Sequence, residues 1–186
     1  MAQFYLLLTL LSFNVSAQDH ELFTQKGKAA IKEFASTLKA SLVSGMKSGG
    51  PITAINVCNQ VAPTIAAELS QKYGFEIART SLKVRNASNA ADQWEIDRLH
   101  QFEARKAQGE NIKTLFVSEQ LSHTGNNEMR LMKAIPTEKA CLSCHGTNIK
   151  PDIQQRLTKL YPNDAATGFT LGDIRGAFTI RQTNQD

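Results

Sequence analysis

The chain has 186 residues, 41% hydrophobic and 20% charged, with a formal net charge of +4 and a pI near 9.0. These are ordinary values for one soluble globular domain that buries a core without staples. The modest basic excess suits an acidic partner or a carboxylate-bearing ligand, and with no basic stripe interleaved with aromatics it excludes nucleic acid.

The first predicted element is an apolar run, Phe4 to Phe13, followed by the small-residue pattern Val15-Ser16-Ala17. It reads as a secretory signal peptide cut after Ala17, leaving residues 18–186 as a single domain outside the cytoplasm. The alternative is a buried or interfacial N-terminal helix. The run is shorter than the ~20 residues a membrane span needs, so no span is expected in the mature form. Phe23, Ala30, Ile31, Phe34, Leu38, Leu42 and Met46 then recur at helical spacing, and Ser48-Gly49-Gly50-Pro51 ends that long helix. A second helix carries Ala54, Cys58, Val61, Ile65 and Leu69 on one stripe, and Pro63 should kink or restart it. A strand follows, entered by Gly74. Asn86 reads as a turn residue, and Asn89 as the N-cap of a helix from about Ala91 to Ala107. Two strands around "TGNN" read as a hairpin closed off by Pro136. Two short helices and a last strand from Asp173 complete the order α, α, β, α, β, β, α, α, β. The fold class is therefore α+β: a long N-terminal helix and a mainly antiparallel sheet flanked by helices.

The chemistry is concentrated in Cys141-Leu142-Ser143-Cys144-His145, the C-x-x-C-H attachment motif of c-type haem. Thiols one turn apart face the same way and reach both vinyl groups of a porphyrin, and the adjacent imidazole can turn toward the iron. The predicted cofactor is haem c, with Cys141 and Cys144 covalently attached and His145 as an axial ligand. Two other chemistries compete. A dithiol oxidoreductase would use Cys141 and Cys144, but such a pair belongs at the head of a helix in a βαβ unit. A zinc site would need Cys141, Cys144, His145 and His123, without a second C-x-x-C or an H-x-x-x-H to support it.

The remaining cysteine, Cys58, is a buried small hydrophobe, a thiol paired between chains, or a sixth ligand for the iron. Its rivals as ligand are His20, His100, His123, Met46, Met129 and Met132. His100 falls on a charged flank, and the methionines sit on apolar faces. Arg79, Arg85 and Arg175 are candidates to pair with haem propionates, because guanidinium forks match carboxylates. The alternative for each is a solvated face or a structural salt bridge. Trp94 reads as core.

Several segments resemble a known family. Ala54-Ile55, Val57-Cys58, Ala62-Pro63, Arg79–Glu95, Cys141–Gly146 and Tyr161–Ile180 are similar to the single-domain extracytoplasmic c-type haem family once catalogued as a domain of unknown function. The likeness covers about residues 22 to 183. It implies a PAS-like fold, with thiolate–imidazole ligation by Cys58 and His145. Ala87 departs from the proline frequent in that loop. Two roles remain: a redox- or gas-responsive sensor acting through a signalling partner, and a low-potential electron carrier serving a redox partner. An enzyme is not expected, because both axial positions of the iron would be filled.

Overall fold

The computed structural model describes the backbone of residues 2–123 and 126–184, and the side chains of residues 17–122 and 127–183. The expected leader thus falls mostly outside the described side chains, as does His123. Among the described residues, no helix is long and apolar enough to cross a membrane.

Helix α1 runs Ala2–Asn56, broken at Gly49 (φ −160°) and Gly50 (φ 68°). The break falls inside the expected Ser-Gly-Gly-Pro terminator, because Gly50 takes a left-handed conformation that side chains disfavour. Before the break, Phe23, Ala30, Ile31 and Phe34 are buried against the sheet. Gly27 lets the helix lie close: a Cβ there would come within 2.7 Å of Leu131 Cδ1. Met46, expected on the apolar stripe, is instead 40% exposed.

The helix restarts at Pro51, passes through a π turn at Val57–Val61, and continues as α2 (Ala62–Tyr73), which Gly74 caps in the left-handed conformation. Pro63 lacks the amide that would continue the regular ladder, and the chain answers with a wider turn. The extra residue rotates the stripe. Ala62 is buried while Val61, expected on the buried face, is exposed.

Strand β1 is Glu76–Thr80, α3 is Gln93–Ala107, β2 is Phe116–His123, β3 is Asn126–Pro136, and β4 is Ile174–Asn184. Between β3 and β4 lie a short helix α4 (Leu142–His145) and α5 (Pro151–Leu160). The strands form one antiparallel sheet in the order β1-β4-β3-β2. The expected α+β architecture is present, with the long N-terminal helix and the sheet between helices. α1 and α2 cover one face through Ile77, Leu131, Phe178 and Ile180. α3 covers the other through Leu99 and Phe102 packed on Met132, Ala134 and Ala177.

The cap of α3 is Asp92, not Asn89. Asp92 accepts a hydrogen bond from the Glu95 amide (2.8 Å), and Glu95 accepts one from the Asp92 amide (3.0 Å), a reciprocal capping box. Asn89 ends a 3₁₀ turn opened by Asn86, whose side chain accepts from the Ser88 amide. Trp94 is half-buried against the α3-side core, and its Nε1 donates to Glu119 at 2.9 Å.

Strand β4 bears a bulge. Ile135 of β3 faces Gly176, while Pro136 faces Ile174, so Arg175 has no partner across the ladder. Gly176 (φ 154°) lies so close to β1 that a Cβ would collide with the Thr80 carbonyl oxygen. Gly176→Ala is therefore expected to destabilise the protein by about 1–3 kcal/mol. A urea midpoint equal to wild type would contradict the close approach.

Candidate functional site

The site lies where β1 ends and β4 begins, on the face covered by α1 and α2. Two irregularities aim its side chains. The π turn carries Cys58, and the bulge carries Arg175. One-residue insertions of both kinds re-aim side chains near functional sites.

The segment holding Cys141 and Cys144 follows β3 as a 3₁₀ turn (Lys139–Cys141) and α4. It is cradled by residues 164–169. Gly168 and Phe169 amides donate to the Gly146 and His145 carbonyls at 3.0 and 2.9 Å, and the Ala165 amide donates to the Val84 carbonyl at 2.9 Å. Arg85 ties these pieces together. Its Nε donates to Asp164 Oδ2 (2.9 Å), and one terminal nitrogen reaches the Cys144 carbonyl (2.6 Å) and the Ala166 carbonyl (3.3 Å). Both partners of the Arg85–Asp164 pair are buried.

His145 Nδ1 lies 2.7 Å from the Ala166 carbonyl and 3.2 Å from Arg175 Nε. One nitrogen cannot donate to the first and accept from the second at once. The shorter contact is to an oxygen that can only accept, so Nδ1 carries the proton. Nε2 then holds a free lone pair, the tautomer a metal-binding imidazole requires. Burial, then the positive charges of Arg175 and Arg85, hold the imidazole down to about 3, so it is neutral at physiological pH. Phe169 meets the ring edge-on at 6.3 Å.

All three cysteines are free thiols and half-buried. Burial pushes the Cys58 thiol up, against an opposing pull from Arg79, Arg85 and Arg175; Cys141 adds to the upward shift. Burial raises Cys144 as well, with Arg85 opposing. Charges on Cys58 and Cys141 push the Cys144 thiol up further. Residues far apart in sequence therefore share one neighbourhood: Cys58, Cys141, Cys144, His145, Arg79, Arg85 and Arg175.

Arg175 donates to Ser81 Oγ (3.2 Å) and the Lys83 carbonyl (3.3 Å), and its guanidinium stacks 5.1 Å from the Phe169 ring. Burial and the other two arginines lower it to about 10. Arg79 lies 5.7 Å from the Phe34 ring, and no carboxylate pairs with it among the described residues. Asp164 is the carboxylate that offsets this group. Three guanidiniums against one carboxylate leave two positive charges in excess.

The rival ligands are placed elsewhere. Met129 and Met132 are buried in the two sheet-face cores. His100 is exposed, as its charged flank implied. His20 Nε2 bonds to Ser118 Oγ at 3.0 Å. Among the described residues, no three His, Cys, Asp or Glu side chains are grouped to hold a metal ion, and His123, the fourth member of the zinc arrangement, lies outside the described side chains.

Sequence reasoning assigned no role to Asp164, the Ala166 carbonyl, Tyr161 or Asn59. Asp164 and Tyr161 lie in a segment that carried the family resemblance, but a carbonyl contact has no residue-type signature. Asn59 Nδ2 donates to Tyr161 Oη at 3.1 Å, and Arg156 donates to Asn56 Oδ1 at 2.8 Å. These bonds fasten the Cys58 turn to α5. Ile55, Ile153, Leu157 and Tyr161 pack between them.

A family model described as Tll0287-like matches residues 13–183. Among solved structures, the crystal structure of the cyanobacterial heme-protein Tll0287 has a similar fold. Its TM-score is 0.58 at 20% identity, over 83% of this chain and 92% of that one. No curated protein matches the chain. With a family model spanning nearly all of its length, the chain belongs to the Tll0287-like family.

Proposed function

We propose that the chain is an extracytoplasmic c-type haem protein with a PAS-like fold. Cys141 and Cys144 attach the porphyrin, and His145 Nε2 and Cys58 Sγ are the axial ligands. The carrying observation is that the C-x-x-C-H segment, a distant third cysteine and a carboxylate-poor set of buried guanidiniums occupy one neighbourhood. The donor chemistry fits the group: two thiols one turn apart, a neutral imidazole with its outer nitrogen free, and an excess of two positive charges for two propionates. That the cyanobacterial protein of similar fold is a heme-protein supports the same reading.

Each side chain then has a task. Arg79 and Arg175 would be available to pair with the propionates, while Arg85, committed to Asp164 and two carbonyls, holds the loop that carries Cys144 and His145. The Ala166 carbonyl fixes the His145 ring and its tautomer. Haem would supply a one-electron couple and, when an axial position opens, a site for a diatomic gas. Cys58 is suited to open it, since its π turn is an irregular element able to repack, and a buried thiolate takes up a proton readily once its charge is no longer balanced. This favours a redox- or gas-responsive sensor acting through a partner protein over a plain electron carrier.

Expressed with a c-type maturation system, the protein is expected to exceed the apoprotein mass by one haem and keep its colour through acid–acetone extraction. A colourless product with a titratable Cys141–Cys144 disulfide would overturn the haem reading in favour of dithiol chemistry. If the ferrous protein stays six-coordinate at neutral pH and refuses carbon monoxide, it is an electron carrier rather than a gas sensor.

A further inference from the structure

We infer that Gln18, Asp19 and His20, once the leader is cut after Ala17, form a copper(II) site at the new amino terminus. Its donors are the Gln18 amine, the Asp19 and His20 amide nitrogens and His20 Nδ1. The inference rests on the export reading above for the cut, and on nothing about the haem.

A histidine third from a free amino terminus brings four nitrogens into one plane as linked chelate rings. Copper(II), and after it nickel(II), favours such a square-planar nitrogen set. The sequence meets the requirements. His20 is the third residue after Ala17. Asp19 and His20 each carry an amide proton, which a proline at either place would lack. Those protons leave to solvent on binding, and the two anionic nitrogens balance the charge of the metal.

The folded chain leaves these atoms available. Gln18 and Asp19 are exposed, and His20 is half-buried. In helix α1 an amide bonds to the carbonyl four residues back, so those of Asp19 and His20 depend on residues 15 and 16, which depart with the leader. His20 Nε2 bonds to Ser118 Oγ at 3.0 Å, and Ser118 Oγ lies 2.7 Å from Thr24 Oγ1. Nδ1, the ring nitrogen that closes the chelate, has no hydrogen-bond partner among the described residues. With Nε2–H donating to Ser118 and Ser118 donating to Thr24, Nδ1 holds the free lone pair. An outer hydrogen bond of this kind fixes the tautomer and orientation of a metal-binding imidazole. Thr24 is buried and Ser118 lies on β2, so the ring is tethered to the folded core. Only one donor is a side chain, so the site does not call for a cluster of three ligating side chains.

The test titrates copper(II) sulfate into the exported holoprotein, in which haem engages the cysteines, with glycine as a competing chelator. Mass spectrometry first fixes the amino terminus. Wild type is expected to retain one equivalent of copper(II) and to add an axial copper resonance with nitrogen hyperfine structure. His20→Ala, and a glycine inserted between Ala17 and Gln18 that moves His20 to fourth place, should each bind roughly a hundredfold more weakly, because a tethered donor is lost from the chelate. Ser118→Ala should weaken binding by roughly tenfold, through the loss of the outer hydrogen bond. If the glycine insertion holds copper as tightly as wild type, the metal sits elsewhere and the inference falls. It falls too if the amino terminus is not Gln18, or if Gln18 has cyclised with loss of ammonia and so lost its amine. Haem mass and colour are read on the same sample, so each of these failures leaves the haem reading standing. A colourless, uncut product would instead sink the export reading and the copper site with it.

Discussion

Replacing Cys58 by serine is expected to convert the ferric holoprotein from a low-spin thiolate–imidazole spectrum to a high-spin one, or to one with a substituted ligand. The potential should rise by on the order of 100 mV, a fraction of the roughly 0.8 V that axial ligands command. A thiolate donates charge to ferric iron and stabilises it, whereas a serine hydroxyl at the same site stays neutral and donates weakly. The surroundings make a replacement from inside the protein difficult. Met129 and Met132 are locked in the two sheet-face cores, His100 points to solvent, and His20 is bonded to Ser118. Water or added imidazole should therefore fill the position. An unchanged spectrum and potential would reduce Cys58 to a packing residue on an irregular turn.

Breaking the Arg85–Asp164 pair is expected to cost about 3–5 kcal/mol, a large share of the roughly 5–15 kcal/mol that holds a domain together. Both side chains are buried, so Arg85→Gln leaves an uncompensated carboxylate. It also takes a charged donor from the Cys144 and Ala166 carbonyls. Those carbonyls hold Cys144 and the His145 ring in place, so if these residues carry haem as proposed, haem incorporation should fall together with the urea midpoint. The double variant Arg85→Met/Asp164→Leu should recover part of the stability, because no charge is left stranded, while the Cys144 and Ala166 carbonyls and the Ala166 amide still lose their partners. A cost below about 1 kcal/mol for Arg85→Gln would mark the pair as no better than a surface contact.

Two residues placed differently from expectation, Val61 and Asn89, show where sequence periodicity stops. Val61 belongs on the buried stripe if the helix has 3.6 residues per turn throughout. The π turn adds a residue, and Ala62 is buried in its place. Pro63 announced a defect there, but a missing amide can produce a kink, a restart or a wider turn, and only the packing of Ile55 and Ile65 on either side selects among them. Asn89 and Asp92 are both good caps by residue type. The choice went to Asp92 because Glu95 stands three residues on to close the box.

Local pattern by itself determined the buried stripe of the first helix from Phe23 to Phe34, the Gly49-Gly50 break, the hairpin ending at Pro136 and the close spacing of Cys141, Cys144 and His145. Each is written in residues within a turn or two of one another, where spacing alone sets which side chains share a face. Tertiary structure alone decided the rest. It placed β4 in the middle of the sheet between β1 and β3, and freed Arg175 from the ladder at a bulge. It paired Arg85 with a carboxylate 79 positions away and gave His145 a carbonyl partner 21 positions away. It also made that imidazole neutral, since the shift comes from burial and from guanidiniums on other elements. Charge state and pairing depend on what the folded chain brings within a few ångströms and on how much water it excludes, and neither quantity exists until the sheet and its helices have closed on each other.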